Sequence, residues 1–510
     1  MTKMLIFGVD GLDRELLRKF EGELPYIQAL KSSGQEVPMN SVFPPDSNTA
    51  WASIYTGKDP AHHGVVKFVD PLTKVSSLLS KEEDNSAIKG KTFWDILSKY
   101  GKKACLINPH MAYPVWPVNG IMTSRSSIKD EVQIFPEHLS RKYDLNNLRG
   151  LKGVPNGRKD LEAFREKAEA SINNEAQLGL RIMEENPWDL FFIYFSEVDW
   201  IEHFFWSAYD IEDPCHIPND PYEGAISEVY ALIDSVLGKF IRLAGDNTEV
   251  ILLSDHGHGR RPQKLINTNY ALKNMGLLTS RIKRKNCTEP AFLIEKLKRY
   301  ALKSIADFGL AGMASSVLKV VPSARRLYTT PFSIDWMNTV AYSSDLSGIK
   351  SYSYGGIIVD KEKVGVDQYE CIRDKIIKEF SEINNPESGE RLFNWIIRRE
   401  DLYSGNYLVR YPDIVFELKY GWGSGWSVDG GLFSTAEAHS IVPGSHKGDS
   451  AVCIMRTKGR TMRESGAHTL MDIAPTIMEI FGIDLEGFGF DGVSLCTESL
   501  AKDLRGHTIV

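Results

Sequence analysis

Long apolar runs, paired thiols and surplus positive charge are all scarce in this chain. No stretch approaches about 18 uninterrupted apolar residues, so no transmembrane helix is expected. The six cysteines among 510 residues (positions 105, 215, 287, 371, 453 and 496) include no Cys-x-x-Cys pair. That scatter suits reduced thiols better than a disulfide frame or a thiolate zinc site. A formal net charge of −7 argues against a nucleic-acid coat or a basic membrane-surface protein, so no stable nucleic-acid binding is expected. The opening residues lack the basic segment, apolar core and small-residue cleavage site of a signal peptide, which makes the cytoplasm the expected location. Internal repeats and low-complexity segments are missing as well.

What remains is the composition of a globular protein, 42% hydrophobic and 25% charged, with enough length for a large core. The strongest strand candidates are continuous apolar runs, as expected where helices cover both faces of a parallel sheet. They are Met4–Val9, Lys103–Ile107, Leu190–Phe195, Val250–Leu253, Asp413–Leu418 and Ala451–Met455. Helical patterns lie between them, notably Leu161–Glu185 and Tyr222–Leu243. Such alternation predicts an α/β fold: a doubly wound, mainly parallel sheet with helices on both faces. Residues 270–335 break the pattern with the basic amphipathic stretches Phe292–Lys303 and Ser323–Leu327, and read as an inserted helical cap. The expected organisation is a catalytic core over 1–269, the cap over 270–335, and the rest of the core over 336–510. That last part includes a Trp/Gly-rich loop, 421–431, whose flat apolar walls suit either a substrate pocket or an ordinary structured loop.

Chemistry gathers where the apolar runs stop. Ser254-Asp255-His256 closes the run ending at Leu253, Asp10 follows Val9, and Asp199 with His203 follows Phe195. His446 sits in the glycine-rich Pro443–Gly448. Singly, an Asp after a strand caps the next helix, and Asp199 with His203, four apart, is a helix-face pair. Together, three Asp and three His match a site at the carboxyl edge of a parallel sheet, enough for two divalent ions. Imidazole and carboxylate without thiolate suit zinc, and also manganese or iron. Two metals about 4 Å apart can clamp the attacking and leaving oxygens of a phosphoryl transfer. The segment Phe43-Pro-Pro-Asp-Ser-Asn-Thr-Ala-Trp51 reads as a loop entering a helix, where free N–H groups favour an anion. There Ser47 or Thr49 is either a helix cap or a metal-activated nucleophile.

These features resemble the alkaline phosphatase superfamily, most closely its type I phosphodiesterase/nucleotide pyrophosphatase branch. The similarity spans nearly the whole chain. It rests on Asp10, the Ser47–Gly64 segment, Asp199-x-x-x-His203, Asp255-His256, His446, Leu470–Thr476 and Phe490-Asp-Gly492. It implies one metal on Asp10, Asp255 and His256, and the other on Asp199, His203 and His446. The nucleophile position falls on Ser47, itself a metal ligand, where diesterase relatives usually carry Thr. Thr49 is the alternative, because the proline usual two residues after the nucleophile is missing. His258 and His439 are alternative ligands, and His63 reads as a histidine that supports a ligand or the fold. The implied reaction is in-line attack by Ser47, a phospho-serine, and its hydrolysis.

Relatives usually place an Asn where this chain has Phe68. Neighbouring Lys67 would suit a dianionic monoester, and Asn108 is a further candidate phosphate contact. The expected substrate is a small phosphoester or nucleotide, cleaved at a phosphodiester or nucleotide pyrophosphate bond as the resemblance implies. Alternatives are a phosphomonoesterase on the same site, a phosphosugar mutase, or a non-catalytic metal-binding protein. A sulfatase is disfavoured because Ser47-Asn-Thr-Ala-Trp51 lacks the Pro and Arg of that frame. Oligomeric state is not legible.

Overall fold

The structure is a computed structural model that describes residues 2–68, 70, 71, 85–127, 129–281, 297, 333–344, 351–436, 439–463 and 466–496. Its centre is an eight-stranded sheet. The strand order is Gln35–Glu36, Cys453–Arg456, Glu249–Leu253, Met4–Val9, Leu190–Phe195, Ala104–Ile107, Gly120–Arg125, Val132–Phe135. From Glu249–Leu253 to Gly120–Arg125 all neighbours pair in parallel, whereas Cys453–Arg456 and Val132–Phe135 pair antiparallel.

The continuous apolar runs have a direct cause. Alternate residues of one strand point to opposite faces, and both faces are covered. Leu5, Phe7 and Val9 enter one core cluster with Phe191, Ile193, Phe195 and the helices Leu161–Glu185 and Ala225–Ala244. Met4 and Ile6 enter another with Leu190, Phe192, Tyr194 and the helices Ser47–Thr56, Phe93–Lys99 and Ile473–Ile480. Each large side chain so buried contributes about 1.5–3 kcal/mol. The expected α/β class and both long helices are therefore present, the second starting three residues later than expected, at Ala225.

Two strands depart from expectation. The run at 451–455 joins the central sheet at Cys453–Arg456, but antiparallel to Glu249–Leu253. The run at 413–418 lies outside that sheet. Ile414–Leu418 instead belongs to a four-stranded antiparallel sheet in the order Ala341–Ser343, Tyr354–Val359, Ile414–Leu418, Phe393–Arg398. Ile414, Phe416 and Leu418 face a separate core, while Val415 packs with Phe43, Phe68, Tyr354 and Tyr411. Cover on both faces produces the same apolar run in either pairing sense.

The Trp/Gly segment also forms structure, since Trp422–Gly425 pairs in parallel with Lys264–Asn267. Trp422 is buried against Phe433, and Trp426 is partly exposed. Of the expected cap, Thr268–Asn274 is a helix overlapping its start. The stretches Phe292–Lys303 and Ser323–Leu327 lie outside the described residues, Leu297 apart. No helix among the described residues is long and apolar enough to cross a membrane.

Candidate metal centre

Register brings the predicted carboxylates together. Val9 pairs with Phe195, and Gly8 pairs with both Tyr194 and Leu253, so three parallel strands end side by side. Asp10 follows the first. The helix Glu197–Tyr209, carrying Asp199 and His203, follows the second, and Asp255 with His256 follows the third. His446 arrives on Gly444–Lys447, paired antiparallel with Gly257–Arg260 so that His446 stands opposite His258.

Two buried triads result: Asp10, Asp255 and His256, and Asp199, His203 and His446. In the second, Asp199 Oδ1 lies 3.5 Å from His203 Nε2 and 3.4 Å from His446 Nε2, and the two Nε2 atoms are 3.1 Å apart. In the first, His256 Nε2 is 3.6 Å from Asp10 Oδ1 and 3.3 Å from Asp255 Oδ2. Donors about 2.0–2.1 Å from a tetrahedral ion stand about 3.3 Å from one another. Both triads have that spacing.

The imidazoles are prepared as ligands. His203, His256 and His446 each direct Nδ1 to a backbone carbonyl, of Gly444 at 3.1 Å, Gly257 at 3.1 Å and Pro45 at 2.8 Å. With the proton on Nδ1, each Nε2 presents a lone pair inward. Asp199 Oδ1 and Asp255 Oδ2, both buried, make no hydrogen bond. Two lone pairs facing each other and orphaned buried carboxylate oxygens are costly unless a cation lies among them. The residues therefore fit divalent metal.

The titration pattern agrees. Burial, then the nearby Asp199, pushes Asp10 up to about 6 against the pull of His256, Tyr194 and Trp51. Burial and Asp10 push Asp255 well above the carboxylate range. Burial works on Asp199 too, but His203, His258 and His446 together hold it well below that range. Crowded carboxylates that resist ionising alone are what a cation reconciles.

Ser47 opens the helix Ser47–Thr56, and its Oγ lies 3.2 Å from Asp10 Oδ1 and 3.3 Å from His256 Nε2. The cap of this helix is Asp46, which accepts from Asn48 N at 3.3 Å, so neither Ser47 nor Thr49 is spent on capping. Thr49 is fully buried and its hydroxyl has no hydrogen-bond partner. Gly57 ends the helix at φ 64°, where a Cβ would meet Phe490 at 2.5 Å, so the turn back toward Asp59 requires glycine.

Other candidates have different placements. Lys67 Nζ pairs with Asp46 at 3.3 Å. Asn108 is buried at the end of Ala104–Ile107, with no partner for either amide atom. Phe68 packs in the aromatic cluster with Phe43 and Tyr411. His63 bonds Ser53 at 2.9 Å, and His439 pairs with Asp213 at 2.8 Å. His258 borders the metal centre, with Nδ1 3.5 Å from Asp199 and 3.4 Å from Glu202, and it forms a third possible ligand group with Asp199 and His256.

Sequence reasoning missed the groups that hold Asp10. Tyr194 Oη donates to Asp10 Oδ2 at 2.5 Å and Trp51 Nε1 donates to the same oxygen at 3.0 Å, which leaves Oδ1 for Ser47. A tyrosine at a core strand position gave the only hint, because a buried hydroxyl needs a partner.

Comparison with known proteins agrees with this architecture. The sequence pattern described as type I phosphodiesterase/nucleotide pyrophosphatase matches residues 4–425. The chain belongs to that family. Human ectonucleotide pyrophosphatase/phosphodiesterase family member 1 is 38% identical over 101 residues, 19% of this chain and 11% of the relative. The rat protein of the same name is 38% identical over 95 residues, 18% of this chain and 10% of the relative. The match thus spans about a tenth of these relatives' length. The structure of human ectonucleotide pyrophosphatase/phosphodiesterase 5 superposes with TM-score 0.50 at 12% identity, covering 95% of this chain and 96% of that one. This likeness is one of fold.

Proposed function

We propose that this member of the family hydrolyses phosphodiesters or nucleotide pyrophosphates through a covalent phospho-serine at Ser47, with two divalent ions, zinc foremost, on the two triads. The observation that carries the proposal is the position of Ser47 Oγ, at a helix start and within 3.3 Å of both Asp10 and His256. Divalent ions held by the two triads would supply Lewis-acid charge that lowers the pKa of the hydroxyl and offsets charge on the phosphoryl oxygens. Asp10 Oδ1 orients the Ser47 hydroxyl, while Tyr194 and Trp51 fix Asp10. Attack forms the Ser47 Oγ–P bond and breaks the P–O bond to the leaving group; the serine proton passes through solvent to the leaving oxygen, and the group departs as an alcohol, a phosphate or a pyrophosphate. Water then cleaves Oγ–P, which restores the serine and frees a monoester. Positioning and electrostatics carry such chemistry.

A diester is favoured over a monoester by charge. A dianionic monoester calls for additional positive charge near Ser47, and Lys67 is paired with Asp46. Phosphomonoesterase activity is the second reading, favoured if that pair opens. The test is a rapid quench with bis-p-nitrophenyl phosphate followed by peptide mass mapping. A p-nitrophenyl phosphoryl adduct on the Ser47 peptide is expected. Full turnover with no adduct in the burst phase, in protein whose Ser47→Ala variant is equally active, would overturn the proposal.

A further inference from the structure

Asn48 follows the proposed nucleophile in the first turn of its helix, and a closed set of contacts fixes its side chain. His110 Nε2 lies 2.7 Å from Asn48 Oδ1, and His110 Nδ1 lies 3.2 Å from Tyr194 Oη. Tyr194 holds Asp10 Oδ2 at 2.5 Å, and Asp10 Oδ1 is 3.2 Å from Ser47 Oγ. The path Ser47–Asp10–Tyr194–His110–Asn48 therefore starts and ends on adjacent residues of one helix. His110 is itself anchored, since its backbone N–H donates to Tyr55 Oη at 2.9 Å. His110, anchored at its backbone and bonded to Asn48 Oδ1, fixes the amide of the residue that follows Ser47.

The direction of the amide follows from the proton count. Burial keeps the His110 imidazole neutral, with its pKa lowered to about 4 despite Asp46 and Asp199. A neutral imidazole carries one N–H. The hydroxyl of Tyr194 gives its proton to Asp10 in the shorter contact. The N–H on Nε2 donates to Asn48 Oδ1 at 2.7 Å, and Nδ1 rests at the longer 3.2 Å. In that tautomer the amide oxygen is committed to His110. The amide nitrogen, with two N–H groups, has no protein partner among the described residues, and Asn48 is half-buried.

The neighbouring alternatives are committed elsewhere or out of reach. Asn48 N–H is taken by Asp46, Lys67 is paired with Asp46, and Phe68 is sealed among Phe43 and Tyr411. Asn108 is buried to 2% exposure, out of reach of a ligand in this conformation.

We propose that Asn48 is a catalytic residue whose amide N–H donates to a nonbridging oxygen of the phosphoryl group, with His110 as the positioning residue that turns it there. This rests on Ser47 being the nucleophile. A neutral donor suits the single negative charge of a diester, and charge builds on that oxygen during attack, so the contact strengthens in the transition state.

The test uses the zinc-loaded full chain with bis-p-nitrophenyl phosphate, comparing wild type, Asn48→Ala, Asn48→Asp, His110→Gln, the Asn48→Ala/His110→Gln pair and Ser47→Ala. Metal content and melting temperature are measured on each. Asn48→Ala is expected to lower kcat/KM about 100-fold, the scale of one lost oxyanion donor, with metal content unchanged. Asn48→Asp keeps an acceptor for His110 but places an anion at the phosphate, so it should lose at least as much. His110→Gln should lower kcat, and it should add little once Asn48 is Ala, because the histidine acts through the amide. An Asn48→Ala rate within threefold of wild type, beside an inactive Ser47→Ala, would overturn this inference and leave the reaction intact. So would losses from His110→Gln and Asn48→Ala that simply multiply. An active Ser47→Ala would instead overturn the reaction on which the inference rests.

Discussion

In the proposed metal centre, Asp10 holds a metal with one oxygen and stays rigid through the other. Tyr194 and Trp51 both donate to Oδ2, while Oδ1 faces Ser47 and His256. Asp255 is more isolated: among the described residues Oδ1 accepts from Gly11 N–H alone, at 3.2 Å, and Oδ2 has no hydrogen-bond partner. Asp255→Asn is therefore expected to cost the first site its metal. Dialysed variant should fall from two ions per chain toward one, with activity down by several orders of magnitude; two retained ions and a wild-type rate would contradict the assignment.

Protons compete for the same oxygens. Because Asp10 is raised to about 6 without metal, the native state holds its proton more tightly than the unfolded chain does. On this group's account, metal-free protein loses stability as pH rises from about 4 to about 6, the opposite of a salt-bridged carboxylate. Metal binding must displace that proton, so affinity should weaken as pH falls below about 6. Chelator competition across about pH 5–8 checks this. An affinity that rises toward low pH would exclude Asp10 as a ligand.

At the scale of elements, the helix Ser47–Thr56 sets the geometry of the proposed attack, and Asp46 decides where that helix begins. Asp46 caps Asn48 N–H and pairs with Lys67, and desolvation is outweighed by Lys67 and the neighbouring histidines, so its pKa is lowered. Asp46→Ala should cost about 1 kcal/mol through the lost cap. It should also lower kcat more than KM rises, because Ser47 loses its fixed place at N1. Unchanged kcat in a destabilised variant would show that the cap serves folding alone.

The sequence made Ser47 and Thr49 visible as cap candidates, because both are of the preferred type. Asp46 is equally suited, and local pattern does not choose among neighbours. His110 and Asn48 lie 62 positions apart, and no helical or strand period connects them. By contrast Met4–Val9 and Leu190–Phe195 were legible to the residue, since burial on both faces leaves no polar position inside either strand. Strand ends carrying Asp or His were legible for the same reason: the polar residue marks where cover stops.

Across the whole molecule, the two triads together join residues from Asp10 to His446, so most of the chain must fold before both close. The second sheet contributes through the aromatic joint in which Val415 and Tyr411 meet Phe43 and Phe68 on the approach to Ser47. Tyr411 Oη donates to Phe43 O at 2.6 Å, and Tyr403 Oη accepts from Phe43 N–H at 2.9 Å, which ties that approach to the sheet. This sheet was the least legible part of the fold. The run at Ile414–Leu418 is as apolar as a central strand because its two faces meet two different clusters.

The proposed reaction transfers a phosphoryl group through Ser47 and prefers a monoanionic diester. The most direct measurement compares hydrolysis of bis-p-nitrophenyl phosphate and p-nitrophenyl phosphate by zinc-loaded wild type and Ser47→Ala. The account predicts a preference for the diester that disappears with the serine. A monoester preference that depends on Ser47 would contradict the substrate assignment and move Lys67 from Asp46 to the phosphate, and diester turnover that survives Ser47→Ala would contradict the mechanism itself.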